Sequence, residues 1–200
     1  MSLNAKLRPG PIPEGMPFRS RSNTGLLGAT ALIVAESMFF LGVLSAWYYL
    51  QAISLSAWPP PELRPRELTL PVINTIVILI SAVALGWGER GIAAGDKRRL
   101  TIGVAVAAGL GLLFMTLQTV EFSSLGFRAQ GSSYGSMFFA LLVFHILRVF
   151  VGVGWMAVVL IRAAMHQFDA KRRTVVQACA MYWYFITVIW IVVFAVLYLL

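Results

Sequence analysis

The chain has 200 residues, 59% of them hydrophobic and 12% charged, with a mean hydropathy of +0.81; a soluble globular domain is far less apolar, so the solvent implied is a bilayer. The formal net charge of +8 is not a nucleic-acid footprint, because the basic residues sit in short segments between long apolar runs, with no basic stripe or aromatic RNA-binding motif. Cys179 is the single cysteine and lies inside an apolar run, which excludes an intrachain disulfide and a cysteine metal cluster.

Residues 1–24 carry Lys6, Arg8, Arg19 and Arg21 among several prolines and read as a retained, loosely ordered cytoplasmic tail, since the apolar run that follows is too long for a signal-peptide core. Residues 25–200 then form one transmembrane domain. Five stretches are long enough to cross about 30 Å of hydrocarbon at about 1.5 Å per residue: Leu26 to Leu50, Leu70 to Trp87, Leu100 to Val120, Tyr134 to Ile161 and Val175 to Leu200. The fold class is therefore all-α, a polytopic membrane bundle of five transmembrane helices. The second stretch is near the lower length limit, and the fourth is long enough to tilt or project.

Between the spans, Lys and Arg alternate. The tail, the second loop (Arg90, Lys97, Arg98, Arg99) and the fourth loop (Arg162, Lys171, Arg172, Arg173) are rich in them; the first has Arg64 and Arg66, the third only Arg128. The positive-inside rule places the N-terminus and the even loops in the cytoplasm and the C-terminus outside. The first loop, Ala57 to Thr69, holds Pro59, Pro60, Pro61 and Pro65 and is expected to run extended. The third, Ser123 to Ser133, is turn-rich, with Gly126 and Gly131. Small residues four apart, Gly42 and Ala46, Gly103 and Ala107, Ala107 and Gly111, allow close helix contact. Trp47, Tyr48, Tyr49, Trp58, Trp87, Tyr134 and Tyr198 lie near span ends, where interfacial anchoring accounts for most of them.

Chemistry is confined to a few ionisable residues in the spans, each costing a few kcal/mol or more at mid-bilayer unless paired or hydrated. Glu36 lies mid-way along the first span, Glu121 at the outer end of the third, and His145 and Arg148 three residues apart on one face of the fourth. Two acids and two candidate cations form a possible internal polar network. Glu36 reads as a structural carboxyl, either neutral and hydrogen-bonded or ion-paired, with proton handling as the alternative. A haem-ligand role for His145 fails on count, because His166 is the only other histidine and lies in a loop. Arg148 suits either an acid or a lipid phosphate. No nucleophile, phosphate loop or dinucleotide fingerprint is evident.

Several segments, in order, resemble subunit III of haem-copper terminal oxidases. They are Ala35-Glu36-Ser37-Met38-Phe39-Phe40, Trp58-Pro59-Pro60, Leu70-Pro71-Val72-Ile73-Asn74-Thr75, Gly95-Asp96-Lys97, Gln118-Thr119-Val120-Glu121-Phe122, Tyr134-Gly135-Ser136-Met137-Phe138-Phe139 leading to Phe144-His145, and Tyr182-Trp183-Tyr184-Phe185 through Trp190. The chain is similar to a five-helix form of the family, without the first two helices of the seven-helix form. It departs where the family has a histidine at the position of Arg148, a histidine at Tyr184 and an aspartate at Thr187, and Arg148 is expected to balance Glu36 or Glu121. The resemblance implies a non-catalytic subunit of the inner membrane of a bacterium, with no cofactor of its own. It would pack against subunit I, which carries haem and copper, and lie in one complex with subunit II, with possible small subunits or a respiratory supercomplex. It would bind phospholipid and support proton uptake. Arg90, Arg98 and Arg162 are candidate lipid-headgroup contacts at the cytoplasmic interface, where topology alone explains them equally. A small transporter or channel using Glu36 and His145, or an oxidase or nitric oxide reductase assembly factor, is the alternative.

Overall fold

The computed structural model describes residues 21–55, 57–63, 68–125, 129, 132–170 and 172–199. Five helices long and apolar enough to span a bilayer account for nearly all of it: α1 (Arg21–Ile53), α2 (Thr69–Ala93), α3 (Lys97–Ser124), α4 (Ser133–Ala164) and α5 (Thr174–Phe194), the last continued by a π-helical turn, Ala195–Leu199. The chain is thus an integral membrane, all-α bundle. Most of the tail (1–20), Arg64, Pro65 and Arg66 of the first loop, Gly126, Arg128 and Gly131 of the third, and Lys171 of the fourth lie outside the described residues.

Helix ends follow local chemistry. Asp96 caps α3, its side chain accepting from the Arg99 backbone N–H at 3.1 Å, and Gly95 supplies the left-handed turn before it at φ +84°. Ser132 caps α4 in the same way, accepting from Gly135 N–H at 2.9 Å. In the first loop the chain does not stay extended: Pro61–Leu63 closes a 3₁₀ turn, with Leu63 N–H donating to Pro60 O at 2.9 Å. Proline tolerates the first turn of a helix because that position needs no donor.

The second helix runs well past Trp87, through Gly88, Glu89, Arg90 and Gly91 to Ala93. Its glycines serve contact and do not end it. A Cβ on Gly88 would lie 3.3 Å from the Gly103 Cα of α3, and one on Gly91 would overlap the Arg99 side chain at 2.4 Å. The reciprocal position is tighter still, with a Cβ on Gly103 meeting Ala84 O and Gly88 Cα at 2.7 Å. Gly103→Val is therefore expected to push α2 and α3 apart, costing about 1–3 kcal/mol or more as overpacking against rigid backbone; a lowered melting temperature of the purified protein checks this.

α5 lies against α1, α2 and α4 and is the most enclosed helix; α1 packs mainly on α5 and α4 and is the least enclosed. The Trp183 ring of α5 fills a notch where Gly111 of α3 and Gly152 of α4 have no side chain. A Cβ would fall 2.9 Å from its ring at Gly111 and 2.7 Å at Gly152. Its indole N–H donates to Ser81 Oγ of α2 at 3.0 Å, and Ser81 donates to the Ala107 carbonyl of α3 at 2.9 Å. The small residues Gly103, Ala107 and Gly111 thus form the working stripe of α3, whereas Gly42 on α1 has nothing within 4 Å of its Cβ position. Trp47, Trp58 and Tyr134 pack on one another, with centroids 5.2–5.4 Å apart. Trp47 and Tyr134 are buried and serve the core, while Tyr48, Tyr49 and Trp87 remain exposed.

Candidate functional site: two buried polar groups

Glu36 projects from α1 and Arg148 from α4, and they meet: Arg148 Nε donates to Glu36 Oε2 at 2.5 Å. Arg148 retains 6% of its side-chain exposure and Glu36 29%. The guanidinium also lies over the rings of Phe39 and Phe40, 5.5 and 5.9 Å from their centroids, which adds cation–π attraction where water is scarce. Around the pair opens a groove of about 520 Å³ between α1 and α4, lined by Leu32, Ala35, Phe39, Phe144, Leu147 and Val151 among others. A bidentate-capable cation midway along α4 thus faces an apolar trough.

Glu121 lies elsewhere, in a second group. Its Oε2 accepts from Gln118 Nε2 at 2.7 Å, Gln118 Oε1 accepts from Asn74 Nδ2 at 3.2 Å, and the Tyr198 hydroxyl donates to Glu121 Oε1. This group joins α2, α3 and the π-helical turn. A π turn holds more residues than an α turn, and Tyr198, which stacks on Phe194, reaches Glu121 from within it. His145 belongs to neither hydrogen-bonded group. Its ring is fully buried and packs against the touching rings of Phe114 and Trp190, with centroids 5.6 and 4.9 Å away.

The basic residues at the end of the bundle formed by the second and fourth loops are arranged differently from one another. Arg90 and Arg98 are exposed. Arg162 is half-buried, donating to Gln167 Oε1 at 3.1 Å and lying over the Phe168 ring. Lys97 and Asp169 bridge the two loops at 3.1 Å. Nearby, a further acid joins those expected from the sequence: Glu89 sits beside the Tyr184 hydroxyl and within electrostatic reach of Arg90 and Arg173. Its signal was the run Gly88-Glu89-Arg90, which reads as a loop until the helix is seen to continue. Gly86 makes the room, since a Cβ there would stand 2.6 Å from the Tyr184 oxygen. Gly86→Val is expected to displace Tyr184 from Glu89, seen as a changed tyrosine ultraviolet difference spectrum. Thr187, at the third departure from the family pattern, is buried and returns its hydroxyl to the Trp183 carbonyl at 3.0 Å.

Among the described residues, no group of three or more His, Cys, Asp and Glu is placed to hold a metal ion. A family model described as cytochrome c oxidase subunit III matches residues 20–200. The chain belongs to the cytochrome c oxidase subunit III family. Among similar proteins, the cytochrome c oxidase subunit 3 of Cyprinus carpio is 31% identical over 193 residues, covering 94% of this chain and 70% of the relative. That of Scyliorhinus canicula is 30% identical over the same length, and that of Ornithorhynchus anatinus is 29% identical over 176 residues, covering 86% of this chain and 67% of the relative. Membership of the subunit III family, which is non-redox, makes this chain a subunit of an oxidase complex with other subunits.

Proposed function

We propose that the chain acts as the non-catalytic subunit III of a respiratory haem-copper oxidase, packed against a haem- and copper-bearing subunit I, with subunit II in the same complex. It sits in a bacterial plasma membrane with its N-terminus cytoplasmic and its C-terminus outside. There it holds phospholipid and sustains proton uptake and the stability of the complex. The observation that carries the lipid part is the Arg148–Glu36 pair opening into the apolar trough between α1 and α4. Acyl chains fit such a trough, and a partly exposed ion pair in hydrocarbon is stabilised by a polar or phosphate-bearing neighbour. Arg90, Arg98 and Arg162, at the basic end, are suited to headgroups of the same leaflet.

The test fills the trough without touching the pair. Leu147→Trp with Val151→Trp is expected to lower the phospholipid retained by the purified complex and its turnover stability together, while haem content is unchanged. Wild-type lipid content in that variant contradicts a lipid role for the trough.

A further inference from the structure

His145 is the most completely enclosed titratable side chain that the two polar groups leave out. It has no exposed surface, and neither Nδ1 nor Nε2 has a hydrogen-bond partner among the described residues. A neutral imidazole carries one N–H donor and one acceptor lone pair, so both of its polar functions are unmet by protein. Asn74, also fully buried, gives its Nδ2 to Gln118, but its Oδ1 has no donor among the described residues. Leaving a buried polar atom without a partner is costly, and in native proteins such atoms are satisfied by ordered water where protein does not serve.

The two orphan groups share their surroundings. Phe114 lies against His145, and Gln118, one helical turn further along α3, holds Asn74. Trp190 lies against both His145 and Phe114 and donates its indole N–H to Thr75 Oγ1, the neighbour of Asn74, at 2.9 Å. The touching pair Phe114 and Trp190 thus links the surroundings of the α4 imidazole to those of the α2 amide. Thr75 does not answer either orphan, because its hydroxyl hydrogen goes to Pro71 O at 2.8 Å.

We infer that the interior of the bundle holds an ordered-water site between His145 and Asn74, one or two waters donating to Asn74 Oδ1 and pairing with the imidazole. The site extends the hydrogen-bonded series Tyr198, Glu121, Gln118 and Asn74 inward to His145. That series then ends one turn from Arg148, whose charge acts on the imidazole. The water joins His145, which belongs to neither group, to the group that holds Glu121. A hydrated histidine in this place gives the bundle a polar interior path from the Glu121 end to within one turn of Arg148, built from side chains of this chain and the bridging water.

The experiment is a structure of the full chain in nanodiscs, with whatever subunits copurify, at a resolution that shows ordered water, for wild type and for Asn74→Leu. Density within hydrogen-bonding distance of a His145 nitrogen and of Asn74 Oδ1, and its loss from the Asn74→Leu protein, is the expected result. Dry packing around His145, or density at the imidazole that persists unchanged in Asn74→Leu, overturns the bridge. If Asn74→Leu does not accumulate, the wild-type density decides, supported by infrared difference spectra in heavy-oxygen water. A buried-water O–H band that shifts on exchange and is missing from His145→Phe is expected; a spectrum identical in His145→Phe counts against the site. Because all these readouts concern the inside of one chain, their outcome is separate from whether an oxidase copurifies.

Discussion

Arg148→Met is expected to cost the protein about 3–5 kcal/mol, the range for removing one partner of a buried ion pair and leaving the other charge uncompensated. Glu36, 29% exposed beside Arg148, faces an apolar trough, so water cannot readily take over the role of the guanidinium. The yield of folded protein and its melting temperature in detergent should both fall. The double variant Glu36→Gln with Arg148→Met should recover most of the loss, because neither charge then remains in the bilayer and the two residues are coupled as a pair. Wild-type yield and melting temperature for Arg148→Met alone would mean that the pair is not a structural element. Arg148→Lys discriminates further: it keeps the charge but loses the planar fork and the stacking on Phe39 and Phe40, and an intermediate loss is expected.

Trp183→Ala is the second large effect, expected at about 3–5 kcal/mol as for other buried aromatic truncations. The indole fills the gap left by Gly111 and Gly152 and ties α5 to α2 through Ser81, so its removal opens a cavity where three helices meet. Trp183→Phe separates the two contributions: the notch stays largely filled and about 1 kcal/mol of hydrogen bonding is lost. The converse change, Gly152→Val, brings a side chain to within 2.7 Å of the ring and should displace α4 from α5. Tryptophan fluorescence during thermal unfolding of the purified variants ranks all three.

Much of this fold is legible in the chain because a bilayer is an undemanding reader. Five long apolar runs with alternating basic loops are enough to set the number of helices, and the helices stand where hydropathy puts them. The same apolar monotony hides how they turn toward one another. On α1 the core-facing Phe40 and Trp47 and the exposed Met38, Leu41 and Tyr49 are equally hydrophobic, so no periodicity separates protein contact from lipid contact. The end of α2 was invisible because glycines and a charged pair look like a boundary, and only contact with α3 reveals why Gly88 and Gly91 are there.

For the site, the spacing of His145 and Arg148 is a local fact and could be read directly. That Arg148 meets Glu36, 112 residues earlier, while Glu121 is held by Gln118, Asn74 and Tyr198 depends on which helices are neighbours. Gln118 and Glu121, three residues apart, were the one part of the second group that helical spacing could have supplied. Tyr198 depends on the π-helical turn, for which the run Ala195–Leu199 carries no evident signal. The Trp183 notch is assembled from three helices and has no local sequence signature at all.

The most direct test of the account is a mild-detergent pull-down of the tagged chain, followed by haem spectroscopy and peptide identification of what stays bound. Haem recovered in fixed proportion with a large multi-helix catalytic subunit is the predicted result; a haem-free chain that purifies alone, with no other subunit retained, would contradict its role as subunit III of a working oxidase and favour a transporter or an assembly factor.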